Sequence, residues 1–115
     1  MYNLEERTLK LSIEIRKFAQ SLPKSLSTSE DLKQLIRSSG SVGANYIEAN
    51  ESLSKKDFLL RLKISRKEAK ESLYWLLIIQ QSNQLDPMNQ SACEALIKET
   101  KEIKNILSAI INKSQ

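Results

Sequence analysis

The sequence contains no histidine and a single cysteine, Cys93, and these two shortages exclude several kinds of chemistry. Catalysis by a serine or cysteine nucleophile beside a histidine has no base here. A zinc site needs a cluster of histidines and cysteines, which is equally lacking. Cys93 cannot form an internal disulfide, which suits a reducing cytoplasm. We therefore expect a protein with no enzymatic activity, no metal and no cofactor.

Glycine and proline are also scarce, with two of each in 115 residues. So few turn-forming residues cannot supply the many turns of a β-sandwich or barrel. No segment shows the alternation of apolar and polar residues that is typical of a β-strand. The longest aliphatic run, Leu76–Ile79, is far shorter than the roughly 20 residues of a membrane span. The polar residues 1–7 are unlike a signal peptide. The composition predicts a soluble, cytoplasmic protein without membrane contact.

Capping residues and apolar repeats predict four helices joined by short loops. The first helix spans about residues 4–21, between Asn3 as N-cap and Pro23. Four such helices favour an all-α, antiparallel up-down-up-down bundle. The length fits one domain, 1–115.

The other three helices are predicted from the same signals. The second opens at Ser27 or Thr28, where a glutamate three residues after Ser27 completes a capping-box pattern. The third spans about 55–81 after the cap Ser54, and the fourth runs from about Met88 or Asn89 to Asn112. The stripe that faces the core from the first helix is Leu4, Leu11, Ile15, Phe18 and Leu22, widened by Leu9 and Ile13. The stripe of the second helix is Leu32, Leu35, Ile36, Val42, Tyr46 and Ile47.

The segment 38–44 is poor in helix formers, and a loop is its obvious interpretation. We favour a continuous helix, because the apolar period keeps its phase across these residues. Small residues on a helix let the backbone of a neighbour come close. Gly40 and Gly43 are then predicted to be packing residues.

The positive charge is concentrated in the third helix. Segments 1–26, 27–53, 54–82 and 83–115 carry net charges of +2, −2, +4 and zero, out of +4 in total. At about 3.6 residues per turn, four lysines of this helix fall close together on one face and an arginine flanks them. They form a predicted nucleic-acid-binding stripe of Lys56, Lys63, Arg66, Lys67 and Lys70. The alternative is a solvated face on which Lys67 pairs with Glu71. No aromatic residue interleaves with the basic ones, so a base-stacking platform is not indicated.

Polar residues on the second and third helices form a second candidate group. Glu48 is predicted to face Arg66 or Lys67, either in a buried polar site or in an interhelical ion pair that fixes register. Glu68 and Glu71 lie three residues apart, which could begin a metal or acid–base site. Because the chain has no Glu-x-x-His pair, a di-iron site is not expected.

The stretch from Tyr74 to Ile79 is apolar almost all round, so more than one face needs cover. We predict a subunit interface formed by Tyr74, Trp75 and Ile78, because tryptophan is favoured at interface centres. The alternative is a broad core contact at the end of the bundle. Cys93 is predicted to be a small packing residue.

A long pattern in the middle of the chain resembles a known bacterial family. It comprises Arg37–Ala49, Ser54–Phe58, Lys63–Ser72 and Tyr74–Leu76. The family consists of four-helix-bundle proteins encoded in intervening sequences of 23S ribosomal RNA genes, sometimes labelled S23. The resemblance implies an up-down bundle assembled into a ring of five. The family is similar to the accessory protein of diversity-generating retroelements, a basic pentameric barrel that works with a reverse transcriptase and nucleic acid.

The resemblance also implies a set of family residues, which act either as structural polar contacts or as RNA contacts. They are Arg37, Asn45, Glu48, Lys55, Lys56, Arg66, Lys67, Glu68 and Glu71. The first functional hypothesis is therefore a homo-oligomer that binds RNA, alone or with a nucleic-acid-processing protein. The second is a protein-interaction scaffold that contacts no nucleic acid.

Overall fold

The structure, a computed structural model, describes residues 3–115 as four antiparallel helices. They are α1 (Leu4–Ser21), α2 (Leu26–Asn50), α3 (Lys55–Ser82) and α4 (Pro87–Ser114). Within this range each helix packs against its two neighbours around the bundle, and the diagonal pairs stay apart. The molecule measures 45 × 25 × 19 Å. The predicted all-α, up-down-up-down four-helix bundle is confirmed.

Helix α1 has the predicted bounds, whereas α2 begins earlier than predicted. The hydroxyl of Ser25 accepts a hydrogen bond from the backbone N–H of Thr28 at 3.2 Å. Ser25 can act as the N-cap because its backbone is extended, with φ −132° and ψ 173°. The prediction that Ser27 caps this helix is wrong, because Ser27 already lies in the first turn. Glu30 pairs with Lys33 instead, at 3.0 Å.

The caps of α3 and α4 are serine and aspartate. The hydroxyl of Ser54 accepts from the N–H of Asp57 at 3.1 Å, as predicted. Asp86 accepts from the N–H of Asn89 at 2.8 Å, and Pro87 occupies the first helical position. Proline is favoured there because its missing N–H would have no intrahelical partner. This start lies one or two residues before the predicted one.

The segment 38–44 is helical throughout, as predicted, and the loop interpretation is wrong. No glycine in residues 3–115 has a positive φ. A Cβ on Gly43 would lie 2.8 Å from Oγ1 and 3.0 Å from Cβ of Thr8 on α1, so Gly43 is a packing residue. Gly40 is not, because a Cβ there would meet only Nη2 of Arg16, at an ordinary 3.7 Å.

Buried serines continue this close packing. The hydroxyls of Ser38 on α2 and Ser72 on α3 lie 2.8 Å apart, within hydrogen-bonding distance. The hydroxyl of Ser65 donates to the carbonyl of Val42 at 2.7 Å. Buried hydroxyls are costly unless they are paired, and in the described part of the chain no buried side-chain N or O atom lacks a partner. Small polar residues therefore join α2 to α3.

The apolar core follows the predicted stripes, with three exceptions. All five stripe residues of α1 are buried, but Leu9 and Ile13 are 61% and 43% exposed. Each lies two residues from a buried partner, Leu11 or Ile15, and two residues correspond to about 200° around a helix. They therefore point outward, and the prediction that they widen the stripe is wrong. Ile47 is likewise exposed, against prediction.

Residues 3–115 contain neither a candidate membrane-spanning helix nor a candidate metal site. None of the helices in this range combines the length and apolarity needed to cross a membrane. The same range has no group of three or more histidine, cysteine, aspartate or glutamate side chains that could hold a metal ion.

The two glycines of α2 should respond oppositely to substitution by alanine. Gly43→Ala should lower the free energy of unfolding by about 1–2 kcal/mol, since overpacking outweighs the gain in helix propensity. Thr8 is 1% exposed and bonded to the carbonyl of Leu4, so it cannot easily move aside. Gly40→Ala should raise the same free energy by about 0.5–1 kcal/mol. Urea denaturation measures both, and stabilisation by both would contradict close packing at Gly43.

Candidate nucleic-acid interface

The outer face of α3 carries four of the five residues of the predicted basic stripe. Lys56, Lys63, Lys67 and Lys70 are all exposed. The opposite side of the helix is buried in the bundle through residues such as Leu62. At 1.5 Å per residue, Lys56 and Lys70 are separated by about 21 Å along the axis. The lysines thus form a row on one rigid element.

These four lysines form no ion pair with any side chain of residues 3–115. The Lys67–Glu71 pair of the alternative interpretation is not formed, because Glu71 accepts hydrogen bonds from Arg37 and Trp75 instead. No carboxylate of residues 3–115 is therefore in direct contact with the ammonium groups of this face.

The arginines of α3 differ from the lysines because they turn toward neighbouring helices. Arg66 is half-buried, and its Nη1 donates to Oγ of Ser108 on α4 at 3.4 Å. Nη1 of Arg61 donates to Oδ1 of Asn45 on α2 at 3.3 Å. Arg66 therefore lies at the edge of the basic stripe, beside α4.

Arg37 of α2 joins two carboxylates of α3 in a cluster at the α2–α3 boundary. Its Nη1 lies 3.4 Å from Oε1 of Glu68, and its Nη2 donates to Oε2 of Glu71. The indole N–H of Trp75 donates to the same oxygen of Glu71 at 2.9 Å. Three of the predicted polar residues thus meet, and together they fix the position of Trp75.

The cluster shifts the pKa values of its members. The pKa of Glu71 is lowered, first by the hydrogen bond from Trp75 and then by the one from Arg37. The nearby charge of Lys67 contributes in the same direction. The pKa of Arg37 is raised, mainly by its hydrogen bond to Glu71. Glu71 is therefore held as a carboxylate near neutral pH.

Glu48 does not take the predicted place opposite Arg66 or Lys67. Its side chain is exposed and forms no ion pair within the described residues. The reason is the orientation of α3, which directs Arg66 toward α4. Asn45, the other polar residue predicted on this part of α2, donates to the carbonyl of Ser41 at 2.9 Å and accepts from Arg61.

The bundle covers most of the apolar run near the end of α3. Leu76 and Ile79 are fully buried, and Trp75 and Ile78 are half-buried. Tyr74 alone in this run is exposed, at 57%. Its ring meets that of Trp75 edge to face, with centroids 5.3 Å apart. The alternative of a broad core contact thus accounts for most of the run, and the oligomer interface at Tyr74, Trp75 and Ile78 stays a prediction.

Cys93 is a buried packing residue, as predicted. Its Sγ lies 3.8 Å from the carbonyl oxygen of Leu76 on α3. Burial raises the pKa of the thiol to about 11. The thiolate, which is the reactive form, is thus scarce at neutral pH.

A groove of about 500 Å³ between α1 and α4 was not anticipated from the sequence. Buried Leu11, Phe18 and Leu96 contribute to its floor. The charged residues along it are of both signs, and they are Lys10, Glu14, Lys17 and Glu99. Because the signs mix, this groove lacks the preference for anions that the α3 face has.

Comparisons with known proteins agree with the fold and the sequence pattern. The profile of the 23S rRNA-intervening sequence protein family matches residues 3–109. A crystal structure from Bacteroides thetaiotaomicron, of a protein with unknown function from the S23 ribosomal protein family, superposes with a TM-score of 0.80. The two sequences are 27% identical, over 93% of this chain and 96% of that one. No protein with a curated description matches. The similarity to the retroelement accessory protein stays a prediction.

Acidification should release Trp75 from its carboxylate partner. Because the folded-state pKa of Glu71 is lowered, its contribution to stability is present above the ordinary glutamate pKa of about 4.3 and is lost as pH falls through the lowered value. Trp75 is the only tryptophan, so its fluorescence emission follows this step directly. The midpoint in wild type should lie below the ordinary glutamate pKa, by the sign of the shift, and Arg37→Ala should raise it.

The control for this titration is Glu94→Gln, which removes a carboxylate on α4 that accepts from Gln90 at 3.0 Å. It should leave the Trp75 midpoint unchanged. Equal midpoints in wild type and Arg37→Ala would show that Arg37 does not hold Glu71 in its charged form. Circular dichroism at each pH confirms that the helices persist.

Proposed function

The chain belongs to the 23S rRNA-intervening sequence protein family, and from this membership and the α3 face we propose a non-enzymatic homo-oligomer that binds RNA. The observation that carries the proposal is the row of exposed, unpaired lysines, Lys56, Lys63, Lys67 and Lys70. Each lysine that neutralises a phosphate releases condensed counterions, which is favourable at moderate salt. RNA is the proposed nucleic acid because the family name refers to intervening sequences of 23S rRNA.

The helix provides positive charge more than base recognition. Lysine side chains contact phosphates, which position a nucleic acid without reading its sequence. Arg66, already bonded to Ser108, lies at the edge of the row and adds charge there. We therefore expect binding with weak sequence preference and strong salt dependence.

Assembly into an oligomer would multiply the small positive charge of a single chain. One chain has a net charge of only +4. A ring of five, the number that the family resemblance implies, would present the lysine row five times on one particle. Binding at one row raises the local concentration of RNA at the others, so weak contacts add up to useful affinity.

A protein-interaction scaffold is the second candidate, and exposed aliphatic side chains favour it. Leu9 and Ile13 are one turn apart on the outer side of α1 and are exposed. Leu60 is also exposed, on α3 between Lys56 and Lys63. Exposed aliphatic residues suit a protein partner better than a phosphate backbone. Retention on heparin that falls with salt separates the two candidates.

Charge reversal on the lysine row should weaken RNA binding and its salt dependence. Lys63→Glu with Lys67→Glu removes two phosphate contacts per chain. For a single-stranded RNA that engages one row, the slope of log K against log salt should become shallower by about 1.4. Fluorescence anisotropy at several salt concentrations measures it.

The matched control reverses two exposed lysines of α4, Lys98→Glu with Lys101→Glu. This control changes the net charge by the same amount but removes no lysine of the α3 row. It should therefore lower the affinity for RNA less and leave the slope of log K against log salt nearly unaltered. If both double variants behave alike, the α3 row has no special role. If neither alters binding, the row is a solvated face and the scaffold candidate is favoured.

The oligomer is tested by mass. Light scattering at micromolar concentration should give a particle about five times the 13.1 kDa of the chain. The expected mass follows from the ring of five and is independent of RNA. A stable 13.1 kDa monomer would contradict the proposed assembly.

A further inference from the structure

An exposed aromatic ring continues the lysine row of α3. Lys63, Lys67, Lys70 and Tyr74 follow one another at steps of four, three and four residues, which keeps them on one face of a helix. All four are exposed, and Tyr74 is 57% accessible. From Lys63 to Tyr74 the row extends about 17 Å along the axis. The basic face therefore ends in an aromatic side chain.

Contacts inside the subunit hold this ring in place. The Tyr74 ring packs edge to face against Trp75, with an angle of 69° between the planes. Trp75 in turn donates its indole N–H to Glu71, which Arg37 of α2 also bonds. A chain of contacts thus runs from α2 to the exposed ring. A ring that is already ordered loses less conformational entropy when a ligand stacks on it.

We infer that Tyr74 stacks against an unpaired base, and that the RNA bound by this face is single-stranded where it reaches the end of the lysine row. The inference rests on the proposed function. Lysines track the backbone of a strand, and an aromatic ring accepts the flat face of any base. Bases inside a duplex are already stacked on their neighbours and are not available to it. The lysines alone would not distinguish these two forms of RNA.

The ring also limits how selective the site is. The other two aromatic residues of α3, Phe58 and Trp75, are half-buried. One stacked base per subunit gives little sequence discrimination, because every base has a π-face. We therefore expect the ring to favour single strands over duplexes. It should not change the salt dependence of binding.

The test compares Tyr74→Ala with Tyr74→Phe on a labelled ten-nucleotide oligoadenylate. Tyr74→Ala should weaken binding by about 5- to 150-fold, the loss expected for one stacked base. The salt slope should stay unchanged, because no phosphate contact is lost. Tyr74→Phe keeps the ring and should bind like wild type. Leu26→Ala, which trims an exposed side chain at the first residue of α2, should also bind like wild type.

Two further probes use the wild-type protein alone. An abasic strand with the same number of phosphates should bind more weakly than oligoadenylate by a similar factor. Oligoadenylate should quench Trp75 emission, because a base on Tyr74 lies beside the indole, and the abasic strand should not. A blunt duplex of equal length should bind wild type and Tyr74→Ala equally.

The outcomes distinguish a failure of base stacking from a failure of the proposed RNA binding. Equal binding of oligoadenylate by wild type and Tyr74→Ala, with a steep salt slope in both, overturns stacking and leaves RNA binding intact. No binding of any RNA by wild type overturns both. If light scattering shows that Tyr74→Ala dissociates the oligomer, the ring belongs to a subunit interface and the inference is wrong.

Discussion

The close approach of α2 to both of its neighbours is the constraint on which the rest of the structure depends. On one side Gly43 leaves room only for Thr8, and on the other Ser38 and Ser72 share a hydrogen bond. Such short contacts permit few relative positions of two helices, since a shift along the axis would break the Ser38–Ser72 contact and take the hydroxyl of Ser65 away from its acceptor, the carbonyl of Val42. The register between α2 and α3 is therefore fixed. Glu68 and Glu71 lie within reach of Arg37 as a result.

That register also determines how charge is distributed around α3. The side toward α2 bears the two carboxylates and Arg61, and the side toward α4 bears Arg66. What is left for solvent is a face of lysines that form no ion pair with any carboxylate of residues 3–115. Because Glu71 is bonded to Arg37, Lys67 forms no direct ion pair in the part of the chain that the structure describes. A contact made for packing thus leaves a surface with one sign of charge.

Local signals in the sequence were sufficient for the helices and insufficient for their mutual orientation. Caps such as Asn3 and Ser54 depend on residues within one turn, and both were predicted. Gly40 and Gly43 look alike in sequence, and only the distance to α1 distinguishes them. Glu48 was assigned to the wrong partners because the rotation of α3 about its axis is a property of packing. The lysine row was predicted because it depends on a single helical period.

The exposed position of Tyr74 at the end of the lysine row follows from the same period, since it comes four residues after Lys70. Only its apolar neighbours in the sequence were considered, and the interface predicted from them stays a prediction. The cluster of Arg37, Glu71 and Trp75 needed the α2–α3 register and could not have been derived.

The contact between Gly43 and Thr8 has a consequence for how such a sequence diverges. The two positions are 35 residues apart in the chain but share one small volume. Any side chain gained at position 43 requires one to be reduced at position 8, so the substitutions must arise in an order that keeps the bundle folded. Homologous sequences should therefore show these positions varying together, with glycine or alanine at one of them. Lineages that enlarge both should have moved α1 away from α2.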